Sequence, residues 1–451
     1  MKKTGPLLWK LIQERFIFIY IALAFCGLYF TIGLALPHLI GDSARHIQNQ
    51  FFGFSQFRFL LSDSSIAVIL ISFASITFFT YVLGLVPKFS FTRDGTFPLA
   101  SRIVTSVIAV GVFFILRSNF INPDGVEFTQ KFLTDIPLRG FHATHDEMWE
   151  LYLHSRFWFY TNQYFDWSVE LSYQVLSCLA GGVFIFLLLT YCPKLFPDSP
   201  FYAFVMCIAG GYMQLFFGDI ENYTLTSALL MGYFLVSALF LEKNISIVYP
   251  SALLAIAITF HLLSGFLLPS LLFLYIVSWQ RDEKHLVLYA IASFCIIIGS
   301  TLLFFHLNGL PLSELWYNSH AFGHGGNILS MLVTPSLRYY FSIINLVFLL
   351  VPAWVLLFPL VIYKRITKDA MNIHLLIAAG GMAVLVLVWK AGLGVYNDWN
   401  LFAPAALPVS FLVWRNVLRI KSLQLKFSPL HFLGWVFLLH SFTWIVVNHF
   451  K

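Results

Sequence analysis

Long apolar runs, each close to the length needed to cross a bilayer, recur from one end of this 451-residue chain to the other. A transmembrane helix needs roughly 20 mostly apolar residues. Inside lipid only helices and closed barrels satisfy their own backbone hydrogen bonds. The runs fall near 16–38, 64–86, 102–118, 168–191, 200–217, 222–241, 245–260, 262–278, 286–306, 339–363, 372–389, 400–414 and 429–448. Residues 245–278 are too long for one crossing, so they are read as two short helices turning near His261. The expected fold is all-α, a polytopic transmembrane helical bundle of about 13 spans. It forms a single integral membrane domain over 1–451, with a helix pair in 1–101 ahead of a helical core in 102–451. Composition agrees: 59% of residues are hydrophobic and 11% charged, where soluble domains carry about 25% charge. That excludes a soluble enzyme, a disordered tail and a secreted disulfide scaffold. The 50 Phe and 12 Trp suit a lipid-solvated chain with many interfacial rings.

Charge orients the bundle. Loops on the side of the N-terminus hold 18 of the 27 Lys and Arg but only 7 of the 21 acids, and the opposite loops hold 9 and 14. The positive-inside rule then places the N-terminus in the cytoplasm and, with an odd span count, the C-terminus outside. Lys2, Lys3, Lys10 and Arg15 precede Phe16–His38, which is longer than a signal-peptide core and lacks a small-residue cleavage site; it reads as an uncleaved first span. The five cysteines show no metal-like spacing, so neither a zinc site nor a disulfide framework is expected. Cytoplasmic loops are short and contain no phosphate-binding glycine motif, which argues against ATP-driven chemistry and nucleic-acid partners. The chemistry is expected on the extracytoplasmic face, and a bacterial inner membrane is the favoured location.

The longest outward segment is 119–167. It opens with Asn122-Pro123-Asp124-Gly125, a set of turn-forming residues that would hold the Asp124 carboxylate just above the membrane. Next come Thr144, His145, Asp146 and Glu147. Thr144 and Glu147 have the spacing of a capping box, and acids in a first turn complement the helix dipole. Beyond them Trp149, Tyr152, Arg156, Phe159 and Tyr160 recur at helical spacing, as in a helix lying on the bilayer interface. Such a helix would keep the carboxylates at headgroup height, where a reaction on a lipid phosphate needs them.

These features resemble the GT-C superfamily of membrane glycosyltransferases that use polyprenyl-phosphate sugars. The resemblance rests on the acidic loop (Asp124, then His145-Asp146-Glu147) followed by an aromatic interfacial helix into the next span. From Asp146 through Ser155, Tyr160 and Asp166 the chain is loosely similar to the stretch after the Asp-Glu pair of protein O-mannosyltransferases. It spans about Arg117 to the end; the extra N-terminal pair of spans and the lack of a large C-terminal soluble domain depart from it. The resemblance implies a bundle of 11–13 spanning helices and a loop aspartate acting as general base or substrate orienter.

Other outward residues extend the candidate site. Asp219 and Glu221 flank a short turn; Asp219 is suited to capping the following helix, whereas a charge at Glu221 in the first turn of a membrane helix is expensive without a role. Asn222-Tyr223-Thr224 is a glycosylation sequon too close to the membrane for use. His261 sits at its turn, and the loop 307–338 adds Glu314, Trp316, Tyr317, His320 and His324 among glycines. The last outward turn holds Lys390 and Asn397-Asp398-Trp399-Asn400, where Asp398 is suited to capping a helix. Arg117, Arg338 and Lys390 end outward spans, where cations either snorkel or pair with a lipid phosphate.

The leading expectation is a glycosyltransferase moving a sugar from a polyprenyl-phosphate donor to a glycan, lipid or protein acceptor. Asp124, Asp146 or Glu147 would take the acceptor's proton, and Arg117, His145, Glu221, His261, Arg338, Lys390 and Asp398 would bind substrate. No cofactor is required; a divalent metal is conceivable among so many carboxylates, though no spacing specifies one. The alternatives are a polytopic transporter, a lipid-linked glycan flippase or polymerase, and an acyltransferase built on His261.

Overall fold

The computed structural model describes residues 97–121, 123–134, 146–196, 199–312, 336–391, 394–420 and 429–450, together with 17, 20–35, 144 and isolated positions between 53 and 75. In order, the helices are α1 (Tyr20–Ile32), α2 (Leu99–Ile115), α3 (Pro123–Thr134), α4 (Met148–Phe165), α5 (Val169–Leu195), α6 (Pro200–Ile208), α7 (Thr224–Leu241) and α8 (Val248–Phe260). They continue as α9 (Leu268–Gln280), α10 (Lys284–Leu307), α11 (Leu337–Leu350), α12 (Leu357–Ile362), α13 (Ala370–Val388), α14 (Trp399–Phe402), α15 (Ala406–Val417) and α16 (Pro429–Phe450). The protein is a polytopic membrane bundle. Among the described residues six helices are long and apolar enough to cross a bilayer, seven if a bent pair is one span, and three more are apolar over 10–17 residues.

Large apolar side chains face outward along these helices, including Ile103 and Val107 on α2, Leu272 and Ile276 on α9, and Leu288 and Ile296 on α10. Such a surface is solvated by lipid rather than water. Inside, α5 is the hub: it packs against α2 on one side and α7 on the other, while α8 packs on α10. Ser168 starts α5 by accepting the Leu171 N–H, and Asp369 starts α13 by accepting that of Asn372. Each satisfies a backbone donor that the first helical turn leaves without an internal partner.

Three of the expected continuous spans are broken. Residues 200–217 form the short α6 and then a buried 3₁₀ turn, Gly211–Phe216. Residues 339–363 bend by 101° between α11 and the segment starting at Pro352. Residues 400–414 begin as a short helix, pass through a 3₁₀ turn at Ala403–Ala405 and only then become α15. Pro352 and Pro404 account for two of the breaks, since proline cannot donate into a continuing helix. The first break is a close approach: a side chain on Gly211 would run into the Leu349 carbonyl. An apolar count cannot see such breaks, because each segment stays hydrophobic through the kink. The turn expected at His261 is present; its backbone is extended between α8 and the 3₁₀ turn Leu262–Leu267.

Candidate active site

Among the described residues of 119–167 there are two helices, α3 and α4. Asn122-Pro123-Asp124-Gly125 does not make an isolated turn: Pro123 begins α3, in the position where its missing N–H has no consequence, and Asp124 lies in the first turn. The Asp124 side chain and His145 lie outside the described residues, as do Glu314, Trp316, Tyr317, His320 and His324. The aromatic helix is present as α4. Trp149 anchors it by stacking on Phe304 and donating its Nε1–H to Thr301 Oγ1 at 3.1 Å, both on α10.

The capping box is not formed. Helix α4 starts at Met148, and no side chain caps it. Glu147 reaches away from the helix instead. Its Oε2 accepts from Asn222 Nδ2 at 2.9 Å, and Asn222 Oδ1 accepts from the Tyr173 hydroxyl at 2.8 Å. Its Oε1 lies 3.3 Å from His261 Nε2. The other ring nitrogen of His261, Nδ1, accepts the Leu263 N–H, so the ring proton belongs on Nε2, the nitrogen on the Glu147 side. Tyr223 stacks on the His261 ring at 4.9 Å. The Asp146 carbonyl accepts the Leu262 N–H at 2.9 Å, fastening the start of α4 to the same 3₁₀ turn.

Four sequence candidates therefore converge: Asp146, Glu147, Glu221 and His261. Glu221 is buried just before α7 and lies within electrostatic reach of Tyr173, as do Glu147 and Glu150. Burial and the adjacent Glu147 charge push the Asp146 carboxyl above the usual carboxylate range, while Thr144 and His261 pull it back by less. Asp146 Oδ1 has no hydrogen-bond partner among the described residues. Sequence reasoning missed four members, Glu150, His154, Tyr173 and Asn222. Asn222 is fully buried and already bonded, which removes the sequon from use.

Asp219 is not the cap of α7, whose N-terminus is held from outside by Glu150. Burial raises Asp219 to about 7, with Asn400 as its polar neighbour. Asp398 does not cap by its side chain either; its backbone N–H bonds the Gly394 carbonyl, and its charge is felt by Tyr339. The 219–222 turn and the Asn397–Asn400 turn thus meet face to face.

The cations assort into two places. Arg117 Nε donates to Gln174 Oε1 at 3.1 Å, and its guanidinium lies over the Phe114 ring, beside Gly218. Arg338 and Lys390 instead share an open cavity of about 390 Å³, with Ser342, Tyr396 and Asn397 among its walls. The Tyr339 hydroxyl donates to the Trp389 carbonyl at 2.7 Å, bringing the start of α11 to the end of α13. Neither cation forms an ion pair among the described residues. On the next turns of the same helices, Ile343, Leu346 and Val347 of α11 and Ala383, Val386 and Leu387 of α13 line an almost wholly apolar groove of about 220 Å³. From Ile343 to Leu350 this groove descends about 10 Å at the helical rise per residue.

Trp389 also touches Phe266, and a side chain on Gly381 would collide with the Phe266 carbonyl, so α13 seats directly on the turn that follows His261. The cationic cavity and the acidic cluster are neighbours through this seat. Among the described residues no three His, Cys, Asp or Glu converge closely enough to hold a metal ion.

The same chain trace occurs in a solved structure, ArnT from Cupriavidus metallidurans bound to undecaprenyl phosphate. The TM-score is 0.52 at 10% identity, covering 78% of this chain and 76% of that one. The chain shares the ArnT fold. The apo state of the same ArnT matches with the same TM-score and coverage at 11% identity. No protein-family model matches the sequence, and no curated protein matches it. The shared fold and the long apolar helices make this chain a multi-pass membrane protein.

Proposed function

We propose that this protein is a membrane glycosyltransferase of the GT-C type, transferring a sugar from a polyprenyl-phosphate donor to an acceptor on the extracytoplasmic face. One observation carries the reading: Arg338 and Lys390, without an ion pair among the described residues, share a cavity at the head of an apolar groove, and Trp389 beside Lys390 contacts Phe266 of the turn that holds the acidic cluster. A polyprenyl phosphate has matching parts, an anionic head and a long apolar chain. The ArnT structure with undecaprenyl phosphate supports the same ligand class.

In this reading the prenyl chain lies between α11 and α13, and Arg338 and Lys390 hold the phosphate by charge-assisted contacts. The acceptor hydroxyl oxygen attacks the anomeric carbon, its proton passes to Asp146 Oδ1, and the bond to the phosphate oxygen breaks. The leaving polyprenyl phosphate keeps the electron pair, stabilised by the two cations. Asp146 suits the base because burial raises its proton affinity and its Oδ1 has no hydrogen-bond partner among the described residues. Glu147, tied to His261 and Asn222, fixes the backbone on which Asp146 sits. Asp124, in the first turn of α3, is the second carboxylate proposed at the acceptor, and Arg117, His145, Glu221 and Asp398 are proposed to contact substrate. The N-terminus is assigned to the cytoplasm and the C-terminus to the outside of a bacterial inner membrane, as the loop charges indicate.

The 101° bend after α11 favours a second reading, a transporter built on interrupted helices. Deleting the gene and profiling lipid-linked intermediates and surface glycans by mass spectrometry separates the two. A glycan short by one sugar, with its polyprenyl-phosphate donor accumulating, establishes transfer. Complete glycans, with a solute trapped or missing, establish transport and return the carboxylates to scaffolding.

A further inference from the structure

The carboxylate of Glu150 is wholly buried, on the first turn of α4, and it points at another helix. Its Oε1 accepts the Leu225 N–H at 2.8 Å. Its Oε2 accepts the Thr226 N–H at 2.9 Å and the Thr226 hydroxyl at 2.8 Å. These two amides belong to the start of α7, where the first N–H groups have no partner within the helix and no local residue caps them. Two residues before α7 stands Asn222, which donates to Glu147; three residues before Glu150 stands Glu147 itself.

We propose that Glu150 is a positioning residue for the transfer reaction: as a carboxylate it clamps the start of α7 to α4 and thereby holds Asn222 on Glu147, beside Asp146. The inference rests on the glycosyltransferase reading for the reaction it serves, but the clamp itself is independent of it. All three partners approach as donors. A protonated or amide side chain presents hydrogens of its own to at least one backbone N–H, and an unpaired buried donor is strongly unfavourable. The clamp therefore needs the charged form.

Among the described residues no Lys or Arg acts on Glu150, and the electrostatic pull of His261 is smaller than the effect of burial. His154, one turn on along α4, lies 3.9 Å away; burial lowers it to about 3, so it stays neutral, stacked on Tyr173 of α5. Thr226 contributes donors from α7, and Tyr173 carries a neutral hydroxyl. His261, at the end of α8, acts on Glu150 at longer range and is engaged with Glu147. Burial outweighs the three hydrogen bonds and lifts Glu150 to about 7, so the clamp closes as pH rises through neutrality.

The test uses the full-length protein in nanodiscs containing undecaprenyl phosphate. Hydrogen–deuterium exchange over 222–228 is compared for wild type, Glu150→Gln, Glu150→Asp and Thr226→Val at pH 6 and pH 8. The clamp predicts at least tenfold slower exchange of the Leu225 and Thr226 amides at pH 8 than at pH 6 after correction for intrinsic rates. That difference should vanish in Glu150→Gln and shrink in Thr226→Val. For transfer, Glu150→Gln should lower kcat at least tenfold with KM for the donor within twofold, and flatten the acid limb that Glu150→Asp keeps. Equal protection at both pH values, or a Glu150→Gln protein with wild-type exchange, overturns the clamp. An intact clamp with unchanged kcat in Glu150→Gln overturns the positioning role. A wild-type protein that shows the exchange pattern but transfers no sugar overturns the glycosyltransferase reading and leaves the clamp standing.

Discussion

The two ends of the bundle treat buried charge in opposite ways. At the end of α15 and the start of α13, Asp369 accepts the Asn372 N–H and pairs with Arg419 at 2.7 Å and Arg415 at 3.4 Å, while Asn372 and Asn416 bond side by side. Although partial burial pushes Asp369 up, the Arg419 bond, the Asn372 N–H and the Arg415 charge together outweigh it, and the carboxyl falls to about 2. At the other end Asp146, Glu150 and Asp219 are buried with no Lys or Arg acting on them, His261 offsets the effect at Asp146 and Glu150 only in part, and all three are raised. A carboxylate given cations is scaffold: it is fixed, ionised and chemically quiet. A carboxylate buried without Lys or Arg partners has its proton affinity raised, which is what an acid–base site requires.

The comparison breaks most sharply at Asp146. If it is the base, Asp146→Asn lowers kcat by about 10²–10⁴-fold, read in a radiolabelled-sugar transfer assay, with undecaprenyl phosphate binding retained. Full activity in Asp146→Asn removes it from the reaction.

Next in size is the pH dependence of stability. Asp219 is raised from 3.8 to about 7 by burial. A raised acid favours the folded state fully below its unfolded pKa and loses that advantage as pH climbs to the folded value. At about 1.4 kcal/mol per unit, the wild type gives up a few kcal/mol over this window. Asp219→Asn should match the wild type near pH 4 and exceed it in thermal unfolding at pH 8. A gap that does not grow with pH contradicts the raised carboxyl.

Asp369 has the opposite sign. Its depressed pKa stabilises above pH 3.8 and is lost as pH falls toward 2. Because the side chain is 37% exposed, solvent screens the pairs, and Asp369→Asn should lower stability at pH 7 by only about 1 kcal/mol. Transfer per folded molecule should stay unchanged, which a rate normalised to folded protein checks. The smallest effect belongs to Arg156, whose guanidinium lies over the exposed Tyr160 ring and donates to its hydroxyl. Arg156→Ala should shift stability by no more than about 0.5–1 kcal/mol, measured by the same thermal unfolding.

Part of the acidic cluster was legible in the sequence, and the rest was not, for identifiable physical reasons. Asp146 and Glu147 stand out in sequence in the acidic outward loop, Glu221 because a charge in the first turn of a membrane helix is expensive, and His261 at the turn of an overlong apolar run; the fold brings all four together. Glu150 was hidden inside an aromatic helical pattern, where a single acid resembles an ordinary first-turn residue. Tyr173 and Asn222 carry no charge and were indistinguishable from other polar side chains near the membrane surface. The Thr144–Glu147 spacing suggested a local cap, but a long-range bond from Asn222 and the His261 ring won over the local alternative.

Hydropathy and charge alone determined that this chain is a helical membrane protein, roughly where its helices run, and that a turn falls at His261. Those properties depend on transfer of each segment into lipid, which is additive along the sequence and needs no knowledge of neighbours. Which helices break, which carboxylates lose their water, and that Arg338 and Lys390 share one cavity above an apolar groove were decided only by tertiary packing. They depend on close approaches such as Gly381 against Phe266 and Gly211 against Leu349, and contacts between segments distant in sequence leave no periodic trace in it.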